Sequence, residues 1–400
     1  MDFATFILAH EADDLAGLAL SRARHAGEVP DFDLALTTLE VRRKLRAKVP
    51  EWYACPGLQY PFRLSGEQCS SSETARYKSS VAAECLGRRP ARVADLTGGL
   101  GVDSWAFAQV FDSVLYNEMR PELAEAARHN FSLLGLRNVR VSCHELMPGG
   151  VADVLDGFHP ELIFLDPARR ASDGRKVFRL EDCQPDVTAL LPELFAAAPL
   201  LLLKLSPMAD ITQVCRQLHG VKQVHAVAAE GECKELLLLL ERDYEGAYDL
   251  YLYENGAAVR VDRAQGASRR GPEGDVALRP GGLLFEPGKA LLKAGAFEWP
   301  CGFGLEKPDR HTHLYFGSSV PERLRPFGKT YRILEVMPLN NRNIKYLGKL
   351  YPQASVTARN IPLSSEQLRA KLGVRDGGSV HIFGLGAMES KLLVVCEWAG

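Results

Sequence analysis

The sequence predicts an α/β protein: a parallel sheet with helices on both faces, preceded by a helical region and followed by a smaller α/β module. Three observations carry this reading. From Arg92 onward, short apolar runs alternate with helical segments, the pattern of strands buried on both faces. The first run ends in Asp95 and opens into a turn containing Gly98, Gly99 and Gly101. A later run, Leu162-Ile163-Phe164-Leu165, ends in Asp166-Pro167.

Residues 1–91 read as a helical N-terminal region, with apolar spacings such as Phe3, Phe6, Ile7 and Leu15, Leu18, and a break rich in proline and glycine over 50–61. Ser70, Ser71 and Ser72 offer N-caps to a helix through Ala75, Val81 and Cys85. Strands are expected at 92–94, 113–116, 139–143, 161–165, 199–205, 221–227 and 235–240. Helices are expected at 104–111, 121–134, 186–197 and 209–218; Pro121 suits a first turn, which has no backbone N–H bond to lose. The short link 230–234 predicts a hairpin. These elements make a core domain of residues 92–242, followed by a polar, glycine-rich connector over 243–282 with some strand around 248–253. The remainder, 283–400, carries expected helices near 287–294, 343–350 and 364–372, and strands at 331–336, 380–383 and 392–396.

Composition narrows the function classes. A chain of 400 residues, 46% apolar and 24% charged, is long enough for two or three domains with sizeable cores. Its apolar runs fall far short of the ~20 residues of a membrane-spanning helix, so no membrane association is expected. Glu11, Asp13 and Asp14 occupy the place of a basic leader region, and the expected location is the cytoplasm. The nine cysteines, at 55, 69, 85, 143, 183, 215, 233, 301 and 396, form no C-x-x-C pair and have no clustered histidines beside them. They read as reduced thiols, and no metal site is expected. Net charge is −2, but residues 321–375 carry eleven basic residues against three acidic ones, which points to an anionic partner for that segment.

The chemistry-bearing residues sit at predicted strand ends. Glycines after Asp95 let the backbone adopt turn dihedrals and approach a ligand closely. The next strand runs into Asn117-Glu118, which sets a carboxylate where it can accept hydrogen bonds from both hydroxyls of a ribose. Asp166-Pro167 stands at the carboxyl edge of its strand, where ligands bind in open α/β sheets. Lys204 closes the apolar run 200–203 and must either snorkel outward or face that same edge. Glu232 and Glu235 carry no role that the sequence defends.

In order, spacing and strand context, Asp95 to Asp103, Glu118 and Asp166-Pro167 resemble motifs I, II and IV of the class I S-adenosylmethionine-dependent methyltransferases. The resemblance covers about 150 residues and implies a Rossmann-like seven-stranded methyltransferase sheet with S-adenosylmethionine as cofactor. It implies that Asp95, Thr97, Gly98, Gly99, Gly101 and Asp103 line the methionine end, that Glu118 binds the ribose and that Asp166, with Pro167, faces the methyl group. Glu145, in Ser142-Cys143-His144-Glu145, is the candidate for the adenine, with a surface-loop acid as the alternative. Asp166-Pro167-Ala168-Arg169 resembles two nucleic-acid subgroups, the amino methylators and the uracil-5 RNA methyltransferases. The latter need a cysteine nucleophile after the fifth strand, where this chain reads Lys204-Leu205-Ser206-Pro207-Met208. Transfer to a base nitrogen fits better, although no aromatic residue follows Pro167 directly.

Arg169, Arg170, Arg175, Lys176 and Arg179 could hold phosphates beside the loop, or form a solvated basic surface. In the last module, Phe327-Gly328-Lys329, 356–360, 368–372 and Asp376-Gly377-Gly378 resemble the THUMP-like domain fused to such enzymes. That resemblance implies RNA, tRNA or rRNA, as partner, with Lys329, Arg342, Lys345 and Arg359 as contacts. Methylation of a protein or small molecule, and RNA binding without catalysis on a retained core, are the alternatives.

Overall fold

The computed structural model describes residues 1–25, 27–87, 91–169, 180–262, 278–388 and 390–399. The chain divides into two compact units, one of residues 1–224 with 235–248 and one of residues 225–234 with 249–400.

The first unit opens with helices α1 (Phe3–Ala9), α2 (Leu15–Leu20), α3 (Phe32–Lys48), α4 (Pro50–Tyr53), α5 (Arg63–Gln68) and α6 (Ser72–Cys85). Asp2, Asp14, Asp31 and Ser71 cap α1, α2, α3 and α6 by accepting backbone N–H bonds through their side chains, each satisfying a donor the helix cannot. One face of α3 packs Ala35 and Leu39 against Phe6, Ile7, Leu18 and Val29. Its far half turns Val41 and Leu45 into a core with Trp52, Leu58, Tyr60, Trp105, Tyr116 and Phe131. The proline-rich break is tied down by a reciprocal amide pair: Gln59 N–H donates to Asn130 Oδ1 at 2.8 Å, and Asn130 Nδ2 donates to Gln59 O at 2.9 Å. The His10 and His25 rings lie 5.1 Å apart. Asp13 holds His10 Nδ1 at 2.7 Å and Glu28 holds His25 Nδ1 at 2.8 Å.

The sheet of this unit begins with β1 (Arg92–Asp95), β2 (Ser113–Asn117), β3 (Val139–Ser142), β4 (Leu162–Leu165) and β5 (Leu200–Leu205). Neighbours among these five are parallel, in the order β3-β2-β1-β4-β5. Helices α7 (Val102–Ala108), α8 (Pro121–Leu133), α9 (Val151–Leu155), α10 (Val187–Ala197) and α11 (Ile211–Gln217) punctuate the crossovers. All four residues of β4 are buried, and full burial of such side chains contributes about 1.5–3 kcal/mol each. The hairpin strands β6 (Val221–Ala229) and β7 (Glu232–Glu241) extend the order to β3-β2-β1-β4-β5-β7-β6, with β7 antiparallel to β5. These seven strands follow the expected Rossmann-like order, and two further strands beyond β6 bring the sheet to nine. Both hairpin strands outrun their apolar stretches, because an antiparallel ladder pairs backbone whatever the side chain. The link shrinks to Glu230-Gly231, both at positive φ of 53° and 76°, the dihedrals a two-residue hairpin requires.

The second unit holds the tip of that hairpin and then, within the expected connector, β8 (Asp249–Glu254) and β9 (Ala257–Val261), joined by Asn255-Gly256 at φ 51° and 74°. Beyond them come β10 (Leu283–Pro287), α12 (Lys289–Ala294), β11 (Tyr315–Gly317), β12 (Gly328–Pro338), α13 (Asn341–Leu350), β13 (Ser355–Arg359), α14 (Ser365–Leu372), β14 (Val380–Ala387) and β15 (Ser390–Trp398). They form a sheet in the order β11-β10-β12-β15-β14-β13, parallel only between β13 and β14. Leu284, Phe316, Ile333, Phe383 and Val394 fill one core of this unit, and Ile344, Leu347, Leu368, Ile382 and Val395 another. A capping box between Ser364 and Gln367 starts α14.

Candidate active site

Register brings the key side chains to one sheet edge. Asp95 pairs with Tyr116 and Phe164, so Asp95 and the residues just beyond β2 and β4, Glu118 and Asp166, lie at the same carboxyl end. Leu203 on β5 faces Leu165, and Lys204 faces Leu237 of the returning β7, which adds Lys204 and Glu235.

The glycine turn is shaped by what lies under it. A Cβ at Gly98 would stand 2.2 Å from Tyr116 Cε2, and Gly101, at φ 95°, would meet Phe131 Cζ at 2.8 Å. Tyr116 then fastens the turn by donating its hydroxyl to Gly99 O at 2.6 Å, and Gly98 N–H donates to Asn117 O at 2.8 Å. Asp95 is buried and accepts from Ser104 Oγ at 2.6 Å and Thr97 N–H at 3.2 Å. Burial pushes its carboxyl up to about 8; the Ser104 and Thr97 bonds oppose the rise, and Asp103 and Asp166 add to it.

Glu118 accepts from Gly99 N–H through Oε2 and from Arg120 N–H through Oε1, both at 2.9 Å. Each carboxylate oxygen has a further lone pair, so the residue can anchor the turn and still receive paired hydroxyls. Asn117 pins the following loop, donating to His144 O and accepting from His144 N–H at 3.0 Å each; Glu145 itself is exposed.

Asp166 is fixed from two sides. Its backbone N–H donates to Thr97 Oγ1 at 2.6 Å, tying the loop after β4 to the glycine turn. Its Oδ2 accepts from the Lys204 ammonium, and Oδ1 takes no hydrogen bond from the described residues. Lys204 therefore faces the site. Burial works against its charge, but Asp166, Glu235 and Asp103 outweigh it and hold the ammonium well above its usual range. Pro167 is buried.

A second layer escaped sequence reasoning. Lys78 of α6 is fully buried and donates to Glu235 Oε1 and Oε2 at 2.8 and 3.0 Å and to Ser70 Oγ at 3.0 Å. Its ammonium lies 3.2 Å from Asp103 Oδ1, and Ser70 Oγ donates to Asp103 Oδ2 at 2.8 Å. Asp103 is thus held by side chains of the helical region, and Glu235 has a partner. The only signal for Lys78 was a lysine among Ala75, Val81 and Ala82 on a buried helix face.

These residues fit an adenosyl cofactor on this structure's own chemistry. A Cβ at Gly99, at φ 53°, would meet only Thr97 O among the described residues, at 3.9 Å, and the neighbouring carboxylates match hydroxyl and cationic groups. The side chain of Arg169, and all of Arg170, Arg175, Lys176 and Arg179, lie outside the described residues. In the second unit, Lys329, Arg342 and Lys345 are exposed. Arg359 is half-buried and paired with Glu286 at 3.2 Å, and Arg332 and Arg369 pair with Glu397 and Asp376 at 3.8 and 3.2 Å. Three of the eleven basic residues are therefore already matched by acids. All nine cysteines are free thiols.

Residues 328–397 match a family described as THUMP domain-like, and residues 283–323 match a ferredoxin-like domain. Two uncharacterized S-adenosylmethionine-dependent methyltransferases of Mycobacterium tuberculosis, from strains CDC 1551 and H37Rv, are each 25% identical over 391 residues, covering 94% of this chain and 99% of theirs. A crystal structure of a candidate methyltransferase from Porphyromonas gingivalis W83 superposes with a TM-score of 0.84 at 30% identity, over 100% of this chain and 98% of that one. With that likeness running the whole length of the chain, and the glycine turn and three carboxylates in place, the protein belongs to the S-adenosylmethionine-dependent methyltransferases that carry a C-terminal THUMP-like domain.

Proposed function

We propose that this methyltransferase acts on a base nitrogen of structured RNA, tRNA or rRNA, in the cytoplasm. Residues 92–242 act as the catalytic domain, and the module over 283–400 presents the RNA. The observation that carries the reading is the Asp166 carboxylate: it lies at the carboxyl edge, its Oδ1 takes no hydrogen bond from the described residues, and a lysine stands where covalent base activation would need a cysteine nearby. Bound S-adenosylmethionine supplies an electrophilic methyl group. Asp95, Thr97, Gly98, Gly99, Gly101 and Asp103 would surround its methionine end, Glu118 its ribose and Glu145 the adenine side. Asp166 Oδ1 accepts an N–H of the incoming amine and so aims the nitrogen lone pair; such positioning needs no covalent step. Thr97 and Pro167 keep that oxygen in place. Lys329, Arg342, Lys345 and Arg359, with Arg169 and Arg170, supply phosphate contacts.

Phosphate contacts make affinity fall as salt rises, and each one lost lowers the slope of log affinity against log salt by about 0.7–0.9. Arg342→Glu with Lys345→Glu should weaken binding to bulk tRNA and rRNA and flatten that slope by about 1.4–1.8. RNA affinity that is independent of salt and of this double change would contradict the reading.

A further inference from the structure

The spacing of cysteines and histidines in the sequence predicts no metal site, but the fold brings His10 to His25 in the N-terminal helical region. His10 closes α1, and His25 and Glu28 lie on the link between α2 and α3. One ring nitrogen of His10, one of His25 and one carboxylate oxygen of Glu28 lie within 4.8 Å of one another, the one group of this kind among the described residues. Donors bound to a tetrahedral ion at about 2.1 Å stand about 3.4 Å apart, so modest side-chain rotation closes the set.

Local packing already holds these groups. The Phe6 ring lies 4.3 Å from that of His10 and 6.1 Å from that of His25, and Phe32 stacks on His25 at 6.1 Å with the planes 9° apart. Only 14% of the His10 side chain and 19% of that of His25 are exposed. Asp13 Oδ2 lies 2.7 Å from His10 Nδ1; a carboxylate that accepts from one ring nitrogen keeps the proton there and leaves the other nitrogen as a ligand. Glu28 Oε2 lies 2.8 Å from His25 Nδ1, sharing a proton whose place a cation can take. As two ion pairs, the arrangement would set two imidazolium rings 5.1 Å apart, like charges that disfavour each other. A single divalent ion serves both rings without that repulsion.

We propose that His10, His25 and Glu28, with Asp13 orienting His10, bind one divalent cation of the zinc class and so clip the end of α1 to the segment that leads into α3. Water completes the four ligands. Two imidazoles and one carboxylate suit zinc and its late first-row neighbours, whereas Ca2+ and Mg2+ take sets of oxygens. The role is structural: α1 and α3 share a core of Phe6, Ile7, Ala35 and Leu39, and an ion bound by the folded state alone adds to its stability. The site is independent of which group accepts the methyl.

The test uses the full-length chain, stripped of metal by a chelator and kept reduced, titrated with Zn2+ or Co2+. Its free thiols are competing ligands, so cobalt serves as the spectroscopic probe: thiolate ligation adds an intense ultraviolet charge-transfer band that imidazole and carboxylate do not. The expected result is about one equivalent of either ion per chain, a first equivalent of cobalt without that band, and a Tm raised by Zn2+ but not by Mg2+. His10→Gln with His25→Gln should abolish this binding. Glu28→Gln, at a half-buried position, should weaken it at least about tenfold and leave S-adenosylmethionine affinity unchanged. Absence of saturable Zn2+ binding, a thiolate band at the first equivalent of cobalt, or wild-type binding in Glu28→Gln and in the double histidine variant would overturn the proposal.

Discussion

Lys78 donates to both carboxylate oxygens of Glu235, a residue 157 positions away in the chain, with both side chains essentially sealed from solvent. The pair joins α6 to β7, and Glu235 lies close enough to Lys204 to favour its charge. Asp103 and Ser70 complete it, so no charge in the layer stands alone. Removing one partner strands a buried charge, which costs about 3–5 kcal/mol. Lys78→Met should therefore lower the unfolding free energy by that amount and the urea midpoint with it, and Lys78→Met with Glu235→Gln should recover part of the loss. An unchanged midpoint in the single variant would show that the layer bears no load.

Gly98 is crowded by Tyr116 at 2.2 Å from where a Cβ would be built. Overpacking of this kind costs about 1–3 kcal/mol. Gly98→Ala should both destabilise the fold and displace the turn that receives the cofactor, giving a lower Tm together with weaker calorimetric binding. Loss of stability with wild-type cofactor affinity would separate the turn from the binding site.

Glu118 holds Gly99 and Arg120 N–H groups, and hydrogen bonds to a charged group are worth about 1.5–3 kcal/mol. Glu118→Ala should weaken cofactor binding by about 10- to 100-fold, and Glu118→Gln, which keeps an acceptor, by less. Equal, near-wild-type affinity in both variants would remove Glu118 from the ribose site.

Asp95 gives the protein a pH signature. Its folded carboxyl is raised by burial to about 8, against about 3.9 in an unfolded chain. Between those values the folded state keeps a proton that the unfolded state releases. Its contribution to stability is therefore full below about pH 4 and is lost as pH rises through about 8. Asp95→Asn has no proton to lose there, so its Tm should fall less than that of the wild type between about pH 7 and 9. Parallel Tm curves across that window would mean that Asp95 titrates elsewhere.

The parts of this design legible in the sequence are those whose signal is local. Asp95, the glycines, Glu118 and Asp166 each follow a short apolar run, and one stretch of about ten residues fixes both strand and edge. Lys204 stood out because a charge closing a run of leucines has only two ways to turn. Ser70, Lys78 and Glu235 did not stand out, since a buried ion pair across 157 positions leaves no spacing to read. In the second unit, β10, β11 and β13 are short, and β13 is half-buried along its length, so neither strict alternation nor a continuous apolar run marks them. Of the β8–β9 hairpin only the first strand was expected, inside a segment whose composition suggested a linker, although Asn255-Gly256 is the turn that such a hairpin favours.

The most direct measurement is transfer of a labelled methyl group from S-adenosylmethionine to RNA from cells lacking the gene, with wild type and Asp166→Ala assayed beside calorimetric titration of the cofactor. The expected result is label in RNA with the wild type and its loss in Asp166→Ala, while both bind the cofactor within about threefold of each other. Wild-type enzyme that binds the cofactor yet labels no RNA, or an Asp166→Ala variant that labels it as well as the wild type, would contradict the account.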